Sequence, residues 1–274
     1  MSEMRFNSKL IKQLTKYSTR GVLPVVAVSG GIDSITLAAA FSNYTEKKIP
    51  IAHATGPAVP LEATKRVKDL SLKYNWKVFF IKAGEMKDPR YLANPLNRCF
   101  FCKENLYTSI FSITKGKIVS GANIDDLNDY RPGLDAALNA DVSHPYIDSE
   151  MNKEDVRKLA KDLGLGRLSE LPSSPCLSSR VETGININSS LLHKIGFVES
   201  KIKQIISDAD LRCRWFSSGV VIEFKYPQVE NISKIHRKNI FNLVASTFSV
   251  PVTKIKINKY IRGNSFKKPT GNIG

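Results

Sequence analysis

The sequence has no long apolar run and few cysteines. No uninterrupted apolar segment approaches the roughly 20 residues of a membrane-spanning helix, and the first residues lack the apolar region of a signal peptide. Four cysteines in 274 residues are too few for a disulfide framework. These absences predict a cytoplasmic protein in a reducing compartment, with no membrane partner.

Acidic residues are also in short supply. The chain has 41 Lys and Arg against 25 Asp and Glu, a formal net charge of +16, and most of the excess lies in residues 191–274. A basic surface attracts the phosphates of nucleotides, RNA or DNA. The chain has no dense basic run and no basic patch interleaved with aromatics, so solvated surface lysines account for the charge equally well.

A glycine turn lies between a predicted strand and a predicted helix. Residues 25–28 are typical of a buried strand, and residues 35–41 form a helical pattern rich in Ala and Leu. The turn between them contains Ser29, Gly30, Gly31, Asp33 and Ser34. Two glycines allow close approach of a ligand, and the backbone N–H groups of such a turn bind anions. No Lys follows the glycines as in the GxxxxGK[ST] loop, and an ordinary strand-to-helix turn is the alternative.

The first two thirds of the chain alternate strands with helices. Further strands are predicted at residues 49–54, 77–81 and 117–120, and helices at 6–19, 60–74, 98–114 and 152–163. Residues 141–147 are predicted to be extended. This alternation predicts an α/β fold with a doubly wound parallel sheet, whose ligands bind at the carboxyl ends of the strands.

A change of pattern indicates a second domain. Residues 169–188 are rich in Ser, Pro, Thr, Gly and Asn, which places a boundary near residue 185 and gives domains of residues 1–185 and 186–274. The later elements are helices at 189–207 and 232–247 and strands at 212–216, 220–225 and 252–257. They predict a smaller, basic α+β domain that binds substrate or forms oligomers.

Three of the cysteines form a candidate site. Cys99 and Cys102 are a C-x-x-C pair at the start of a predicted helix, and Cys176 lies in the long loop. Four interpretations remain open: a dithiol redox pair, a zinc site without its second cysteine pair, a 4Fe–4S cluster with one open iron, and three unrelated buried thiols.

Cys213 alternates with Arg212 and Arg214 in a predicted strand and therefore faces the core. The two arginines share the other face and suit a phosphate, with solvated surface arginines as the alternative.

Several stretches resemble known enzymes. Residues 29–34 resemble the PP-loop of ATP pyrophosphatases, which cleave ATP between the α and β phosphates. Nearly the whole chain resembles the LarE-type sulfur transferases of nickel-pincer cofactor synthesis. The matching segments are residues 29–34, Cys99-x-x-Cys102, residues 121–123 with 129–133 (Asp-Tyr-Arg-Pro-Gly), residues 175–180 (Pro-Cys-Leu-Ser-Ser-Arg) and Arg212-x-Arg214 leading to Glu223. After Arg180 the chain has Val-Glu-Thr-Gly, where that family has an aromatic-containing stretch.

The resemblance implies a reaction and its cofactors. Such an enzyme adenylates a carboxylate of a pyridinium dicarboxylate mononucleotide with ATP and Mg²⁺, then replaces an oxygen by sulfur from sulfide or a cysteine-derived donor. The family has one-cysteine and three-cysteine members. Cys99, Cys102 and Cys176 match the three-cysteine type, in which a 4Fe–4S cluster carries the sulfur.

The resemblance also implies roles for single residues. The β and γ phosphates of ATP would be bound by Ser29, Gly30, Gly31 and Ser34, and Asp33 would help to hold Mg²⁺. Thr55 and Gly121 would lie near adenine. Arg212 and Arg214 would bind the mononucleotide phosphate, and Cys176 would lie on a closing loop. Arg131 would neutralise charge at the α-phosphate, or it would only pair with Asp126 or Asp129.

Two other functions remain as alternatives. An iron–sulfur-dependent tRNA thiolase shares the PP-loop and suits the charge of +16, but the chain lacks further cysteine pairs for zinc modules, and the Asp-Tyr-Arg-Pro-Gly stretch disfavours it. A non-enzymatic carrier of sulfide or of a cluster would need no ATP. We expect a small nucleotide substrate, tRNA as a less favoured partner, and a homo-oligomer.

Overall fold

The computed structural model describes residues 7–18, 22–45, 47–114, 116–128, 130–172, 175–207, 209–261 and 263–264. These described residues form two compact units, one within Met1–Glu85 and Cys99–Ser174 and the other within Met86–Arg98 and Pro175–Gly274. Among these residues no helix combines the length and the apolar character needed to cross a membrane.

The helices, strands and turns are numbered by type in chain order and have the following bounds. The helices are α1 Ser8–Ser18, α2 Ile32–Thr45, α3 Leu61–Lys73, α4 Pro89–Leu92, α5 Arg98–Ile113, α6 Pro132–Asn139, α7 Pro145–Asp148, α8 Lys153–Asp162, α9 Ser189–Ile205 and α10 Lys234–Phe248. The strands are β1 Val25–Ala27, β2 Pro50–Ala54, β3 Lys77–Ile81, β4 Ile118–Ser120, β5 Leu211–Phe216, β6 Gly219–Phe224 and β7 Ile255–Lys259. Short 3₁₀ turns lie at Glu85–Lys87, Ile124–Asn128, Gly166–Glu170, Leu177–Arg180 and Val252–Lys254.

The first unit is built on a parallel sheet with the strand order β3-β2-β1-β4. Val26 in β1 lies opposite Ile51 in β2 and Val119 in β4. The chain moves outward from β1 to β3 and then returns to the other side of β1 with β4, so the predicted α/β, doubly wound fold is confirmed. This reversal creates a switch point between the carboxyl ends of β1 and β4, the place where ligands bind in such sheets.

Helices cover both faces of this sheet because its strands are apolar on both sides. Val25 and Val26 are neighbours in β1, yet they belong to different buried clusters, since successive strand residues point to opposite faces. Ile35 and Phe41 of α2 are fully buried in the cluster around Val26. Each such side chain contributes about 1.5–3 kcal/mol when fully buried. The packing therefore fixes the start of α2 against the end of β1.

Three local predictions differ from the structure. In the second unit, the strand predicted at residues 252–257 begins only at Ile255, because Val252–Lys254 form a 3₁₀ turn. The other two differences lie in the first unit. The helix after the glycine turn begins at Ile32 and not at residue 35, because the turn residues themselves enter the helix. Residues 141–147 are only partly extended: Ser143 forms a parallel bridge with Val119, and α7 then begins at Pro145. Proline suits the first position of a helix because its φ is already helical and its missing N–H is not needed there.

The second unit contains a mixed sheet in the order β5-β6-β7. β5 and β6 are antiparallel, as predicted, and are joined by a tight turn in which Gly219 has φ +136°. β7 pairs parallel to β6. The segment Met86–Arg98 attaches to this unit through Asn94, whose Nδ2 donates to the carbonyls of Glu182 (2.8 Å) and Ile185 (2.9 Å).

Candidate functional site

The glycine turn after β1 is closed by its own serines. Ser34 Oγ accepts a hydrogen bond from the Ser29 N–H (3.1 Å) and donates one to the Gly31 carbonyl (3.1 Å). Ser29 Oγ accepts from the Gly31 N–H (3.3 Å). Asp33 and Ser34 lie in the first turn of α2, where backbone N–H groups lack helical acceptors. The turn therefore presents the anion-binding end of a helix at the carboxyl end of β1.

Helix α3 holds the turn in place. Gly30 has φ +86°, and a Cβ atom there would lie 2.8 Å from Ala63 Cβ and 2.9 Å from the Ala63 carbonyl oxygen. Arg66 Nη1 donates to the Gly30 carbonyl at 2.5 Å. Glycine is thus required at position 30 for both its conformation and its close packing.

A buried histidine connects β1 to α3. His53 is 1% exposed, and its Nδ1 lies 2.7 Å from the Val28 carbonyl, so Nδ1–H is the donor. Its Nε2 lies 3.0 Å from Thr64 Oγ1. Burial lowers the pKa of His53, which keeps the ring neutral near pH 7. Sequence reasoning missed this positioning residue because its partners are distant in sequence.

Strand β4 reaches the turn at Gly121. A Cβ atom on Gly121 would lie 2.8 Å from the Asp33 carbonyl carbon and from the Ser34 nitrogen. The structure therefore brings Gly121 to the start of α2, at the switch point. Thr55 follows β2 at the same edge of the sheet, where its N–H (2.7 Å) and hydroxyl (3.2 Å) donate to the Ile81 carbonyl.

Asp33 is paired with a lysine that sequence reasoning missed. Both of its carboxylate oxygens lie 2.5 Å from Lys153 Nζ, and the two side chains are 29% and 27% exposed. The Tyr146 hydroxyl donates to the Asp33 backbone carbonyl at 3.3 Å. A carboxylate beside an anion-binding turn has the oxygen donors that Mg²⁺ prefers, so Asp33 fits its predicted role in chemical type.

Arg131 forms an ion pair with Asp126. Its Nη2 lies 2.8 Å from Asp126 Oδ1, and its side chain is 46% exposed. Asp126 Oδ2 also accepts from the Asn123 N–H at 3.1 Å. Asp129, the other predicted partner, lies outside the described residues. Arg131 is therefore attached to the loop that begins at Gly121.

The cysteine pair lies at the start of α5. Cys99 and Cys102 are three residues apart on this helix and so share a face. Both are partly exposed, and neither forms a disulfide. A Cβ atom on Gly133 would lie 3.8 Å from the Cys99 carbonyl oxygen and 3.1 Å from Lys103 Cγ. The stretch that contains Arg131 and Gly133 therefore packs against helix α5, which contains the cysteine pair.

Cys176 belongs to the second unit. It precedes the 3₁₀ turn Leu177–Arg180, is partly exposed and forms no disulfide. Three thiols of this kind have the donor chemistry that an iron–sulfur cluster requires. Over the described ranges of the chain, no three His, Cys, Asp or Glu side chains are grouped so that they could hold a metal ion. The donor set fits a cluster, and its assembly remains a prediction.

A buried arginine fixes the backbone around Cys176. The Arg180 side chain is 2% exposed and pairs with Glu199 through Nε–Oε1 (2.9 Å) and Nη2–Oε2 (3.2 Å). Its Nη1 donates to the carbonyls of Pro175 (2.7 Å) and Cys176 (3.2 Å). Glu199 Oε1 also accepts from the N–H of Cys213, which is fully buried as the strand pattern predicted. Burial raises the pKa of the Cys213 thiol.

The two strand arginines lie together against one tyrosine. The guanidinium carbons of Arg212 and Arg214 are each 5.7 Å from the centroid of the Tyr260 ring. Arg214 Nε lies 2.5 Å from Glu223 Oε2, and Arg212 Nη1 lies 2.9 Å from Asp210 Oδ1. The Arg212 side chain is only 12% exposed and the Arg214 side chain only 5%, so the alternative of solvated surface arginines is wrong.

Comparison with known proteins identifies the family. No family model matches the chain. Over 189 residues, which are 66% of this chain and 69% of the relative, it is 31% identical to the uncharacterized protein slr1717 of Synechocystis sp.. The chain belongs to that protein's family. It is also 29% identical over 241 residues to the uncharacterized protein MJ0830 of Methanocaldococcus jannaschii, covering 85% of this chain and 88% of that one.

A third relative is a named enzyme. The chain is 24% identical over 185 residues to the pyridinium-3,5-bisthiocarboxylic acid mononucleotide synthase of Lactiplantibacillus plantarum, covering 66% of this chain and 67% of that enzyme. This distant similarity supports the LarE-like family that the motifs predict.

Proposed function

We propose that this chain is an ATP-dependent sulfur transferase that thiolates a carboxylate of a pyridinium dicarboxylate mononucleotide. The observation that carries the proposal is a continuous series of contacts in the first unit. It runs from the first turn of α2 to Gly121, from Asn123 through Asp126 to Arg131, and from Gly133 to Cys99. A glycine turn that binds phosphate and a cysteine pair on α5, joined by the loop between Gly121 and Gly133, suit activation by ATP followed by addition of sulfur.

The similarity to the Lactiplantibacillus synthase supports the same class of reaction. In this proposal the glycine turn, formed by Ser29, Gly30, Gly31 and Ser34, binds the β and γ phosphates, while Thr55 and Gly121 border the adenine. Asp33 holds Mg²⁺. Arg212 and Arg214 bind the phosphate of the mononucleotide through their planar guanidinium groups.

The reaction then has two displacement steps. A carboxylate oxygen of the substrate attacks the α-phosphorus of ATP, and pyrophosphate leaves. Hydrosulfide attacks the acyl carbon of the adenylate, and AMP leaves with the former carboxylate oxygen while a proton passes to solvent. Arg131, released from Asp126, stabilises the charge that builds on the α-phosphate during both steps. Water has to be excluded, because it would hydrolyse the adenylate.

The sulfur side of the proposal involves three thiols. Cys99, Cys102 and Cys176 would hold a 4Fe–4S cluster, which when bound supplies an open iron position for sulfide. Purification without oxygen should give protein that contains iron, acid-labile sulfide and the visible absorption of such a cluster. Alanine at Cys102 should abolish all three signals, and full retention of them would overturn the cluster assignment.

The function is tested by supplying the two candidate acceptors under anaerobic conditions. The protein is incubated with ATP, Mg²⁺, sulfide and either the pyridinium mononucleotide or tRNA, and the products are analysed by mass spectrometry. We expect pyrophosphate release that depends on the mononucleotide, together with exchange of one oxygen for sulfur. The variant Asp33→Asn should release much less pyrophosphate.

A tRNA thiolase is the second candidate, because the formal net charge of +16 suits a polyanion. A thiolated tRNA base together with an unchanged mononucleotide would replace our proposal with this one. Sulfide binding without any ATP-dependent pyrophosphate release would instead favour a carrier.

A further inference from the structure

Glu85 is a buried carboxyl group beyond the end of β3. It begins the 3₁₀ turn Glu85–Lys87 and is only 6% exposed. Its carboxyl accepts a hydrogen bond from its own backbone N–H, and within the described ranges of the chain this side chain has no other hydrogen bond or ion pair. The neighbouring Lys82 and Lys87 are exposed to solvent. Because buried polar groups are normally satisfied, this carboxyl has acceptor capacity left for a ligand.

The carboxyl lies beside the residues that follow β2. A Cβ atom on Gly56 would lie 3.1 Å from Glu85 Oε1, so the glycine leaves room for the carboxyl. Gly84, with φ +85°, lets the chain turn directly before Glu85. The Thr55 N–H donates to the Ile81 carbonyl at 2.7 Å and joins the ends of β2 and β3. Glu85 is therefore held at the ligand-binding edge of the sheet.

The environment of Glu85 decides the class of ligand. Burial raises the pKa of this carboxyl, which favours its neutral form. A neutral carboxyl is a poor partner for a metal ion or an ammonium group, but its carbonyl oxygen still accepts hydrogen bonds. We therefore expect an uncharged N–H or O–H donor as its partner.

The order of the strands decides which part of a nucleotide would reach Glu85. β2 separates β3 from β1, and neighbouring strands lie about 4.8 Å apart, so β3 is roughly 10 Å from β1. In the proposed function the phosphates bind at the turn after β1 and the base borders Thr55. The far edge of the base, and not the ribose, then points toward Glu85. Adenine has its exocyclic amino group, an uncharged donor, on that edge.

We infer that Glu85 recognises the base of ATP by accepting a hydrogen bond from the exocyclic amino group of adenine. This inference rests on the proposed ATP-dependent function and adds to it the residue that selects the base. The Thr55 N–H cannot take this part, because it is a donor and already bonds to Ile81. Glu85 thus gains its missing partner only when adenine is bound.

A comparison of two nucleotides tests this role. Binding of ATP and of purine riboside 5′-triphosphate, which is ATP without its amino group, is measured by calorimetry with Mg²⁺. The acceptor is left out so that no adenylate forms. We expect the unmodified protein to bind ATP about tenfold more tightly than the analogue, because one hydrogen bond in a buried site is lost. Glu85→Gln should keep most of this preference, since its carbonyl oxygen remains an acceptor.

Glu85→Met removes the acceptor at similar side-chain volume, and it should lower ATP affinity to that of the analogue. A purely structural role would weaken both nucleotides equally, and an unchanged ratio of the two affinities would overturn the inference. Equal binding of both nucleotides by the unmodified protein would overturn it as well. The matched control is Glu170→Met, which removes an exposed glutamate at the end of another 3₁₀ turn and should leave both affinities unchanged.

Two further measurements complete the test. Glu85→Asp covers the case in which Glu85→Met does not fold: its carboxyl is one methylene shorter and no longer reaches hydrogen-bond distance, so the ratio should fall toward one. A ratio equal to that of the unmodified protein would contradict the inference. If Glu85→Met instead loses a preference for ATP over 2′-deoxy-ATP, the carboxyl binds the ribose and the assignment to the base is wrong. Failure of the unmodified protein to bind any adenine nucleotide would overturn the proposed function itself.

Discussion

At the scale of single residues, the contact between Gly121 and the first turn of α2 leaves no room for a side chain. A Cβ atom at this position would lie 2.8 Å from backbone atoms of Asp33 and Ser34. Because backbone atoms cannot rotate away, Gly121→Ala has to move β4 or the glycine turn. We expect it to lower the free energy of unfolding by about 1–3 kcal/mol and to weaken nucleotide binding. Chemical denaturation and calorimetry measure the two effects.

Gly31→Ala is the control for this prediction, since a Cβ atom on Gly31 would meet only the Ser29 hydroxyl, at 3.4 Å. Its stability should stay within about 1 kcal/mol of the unmodified protein. If the two variants were equally stable, the close packing of β4 on the turn would not be the constraint that we describe.

Residue-level prediction from the sequence succeeded where a local period carries the information. The alternation in β5 correctly placed Cys213 in the core and Arg212 and Arg214 on one face. It could not show that Glu223 is buried against Arg214, because that pairing depends on the register between β5 and β6. The ion pair of Lys153 with Asp33 was not predicted for a similar reason, since 120 residues separate the two in sequence.

At the scale of elements, the ion pair between Arg180 and Glu199 joins the loop of Cys176 to α9. Both side chains are almost completely buried, at 2% and 10% exposure. Removing one partner leaves an uncompensated buried charge, so we expect Arg180→Met to lower the free energy of unfolding by about 3–5 kcal/mol. Trp215 in β5 reports the unfolding by fluorescence if Trp76 is replaced by Phe in every variant.

The double variant Arg180→Met with Glu199→Gln is the control. The glutamine oxygen still accepts from the Cys213 N–H, while the unpaired charge is gone. It should recover part of the lost stability, whereas a loss equal to or greater than that of the single variant would contradict a charge-based explanation. Alkylation of Cys176 should accelerate in the single variant, because its carbonyl loses a donor.

Element boundaries were predicted best where a cap or a clear period is present. A helix was predicted at residues 152–163, and α8 begins at Lys153 with Asn152 as its cap in a capping box. The start of α2 was placed three residues late, because the glycines hide the beginning of a helix whose first turn is held by serine hydroxyls and by packing against α3. Such tertiary contacts leave no trace in local sequence periodicity.

At the scale of the whole molecule, the order of the strands in the first sheet determines where its switch point lies. Alternating strands and helices predict a parallel sheet, and the reversal between β3 and β4 then produces the switch point at the glycine turn. The pattern along the chain was sufficient to predict a doubly wound parallel sheet, whereas the position of β4 beside β1 comes from the structure alone. The segment Met86–Arg98 belongs to the second unit through Asn94 and its partners about 90 residues away, which no local pattern reveals.

The formal net charge of +16 is a property of the whole chain and leads to a prediction about polyanions. If the charge reflects solvated lysines, tRNA and an unrelated RNA of equal length should bind with similar affinity. Both affinities should fall together as salt rises, with a slope of about −0.7 per phosphate neutralised on single strands, because binding then depends on counterion release. Filter binding at several salt concentrations measures this.

A thiolase would instead keep tRNA bound at physiological salt in the presence of the unrelated RNA as competitor, since recognition of bases and shape does not depend on released counterions. The same titration therefore decides whether the basic character of this chain concerns the phosphates of one small nucleotide or those of an RNA.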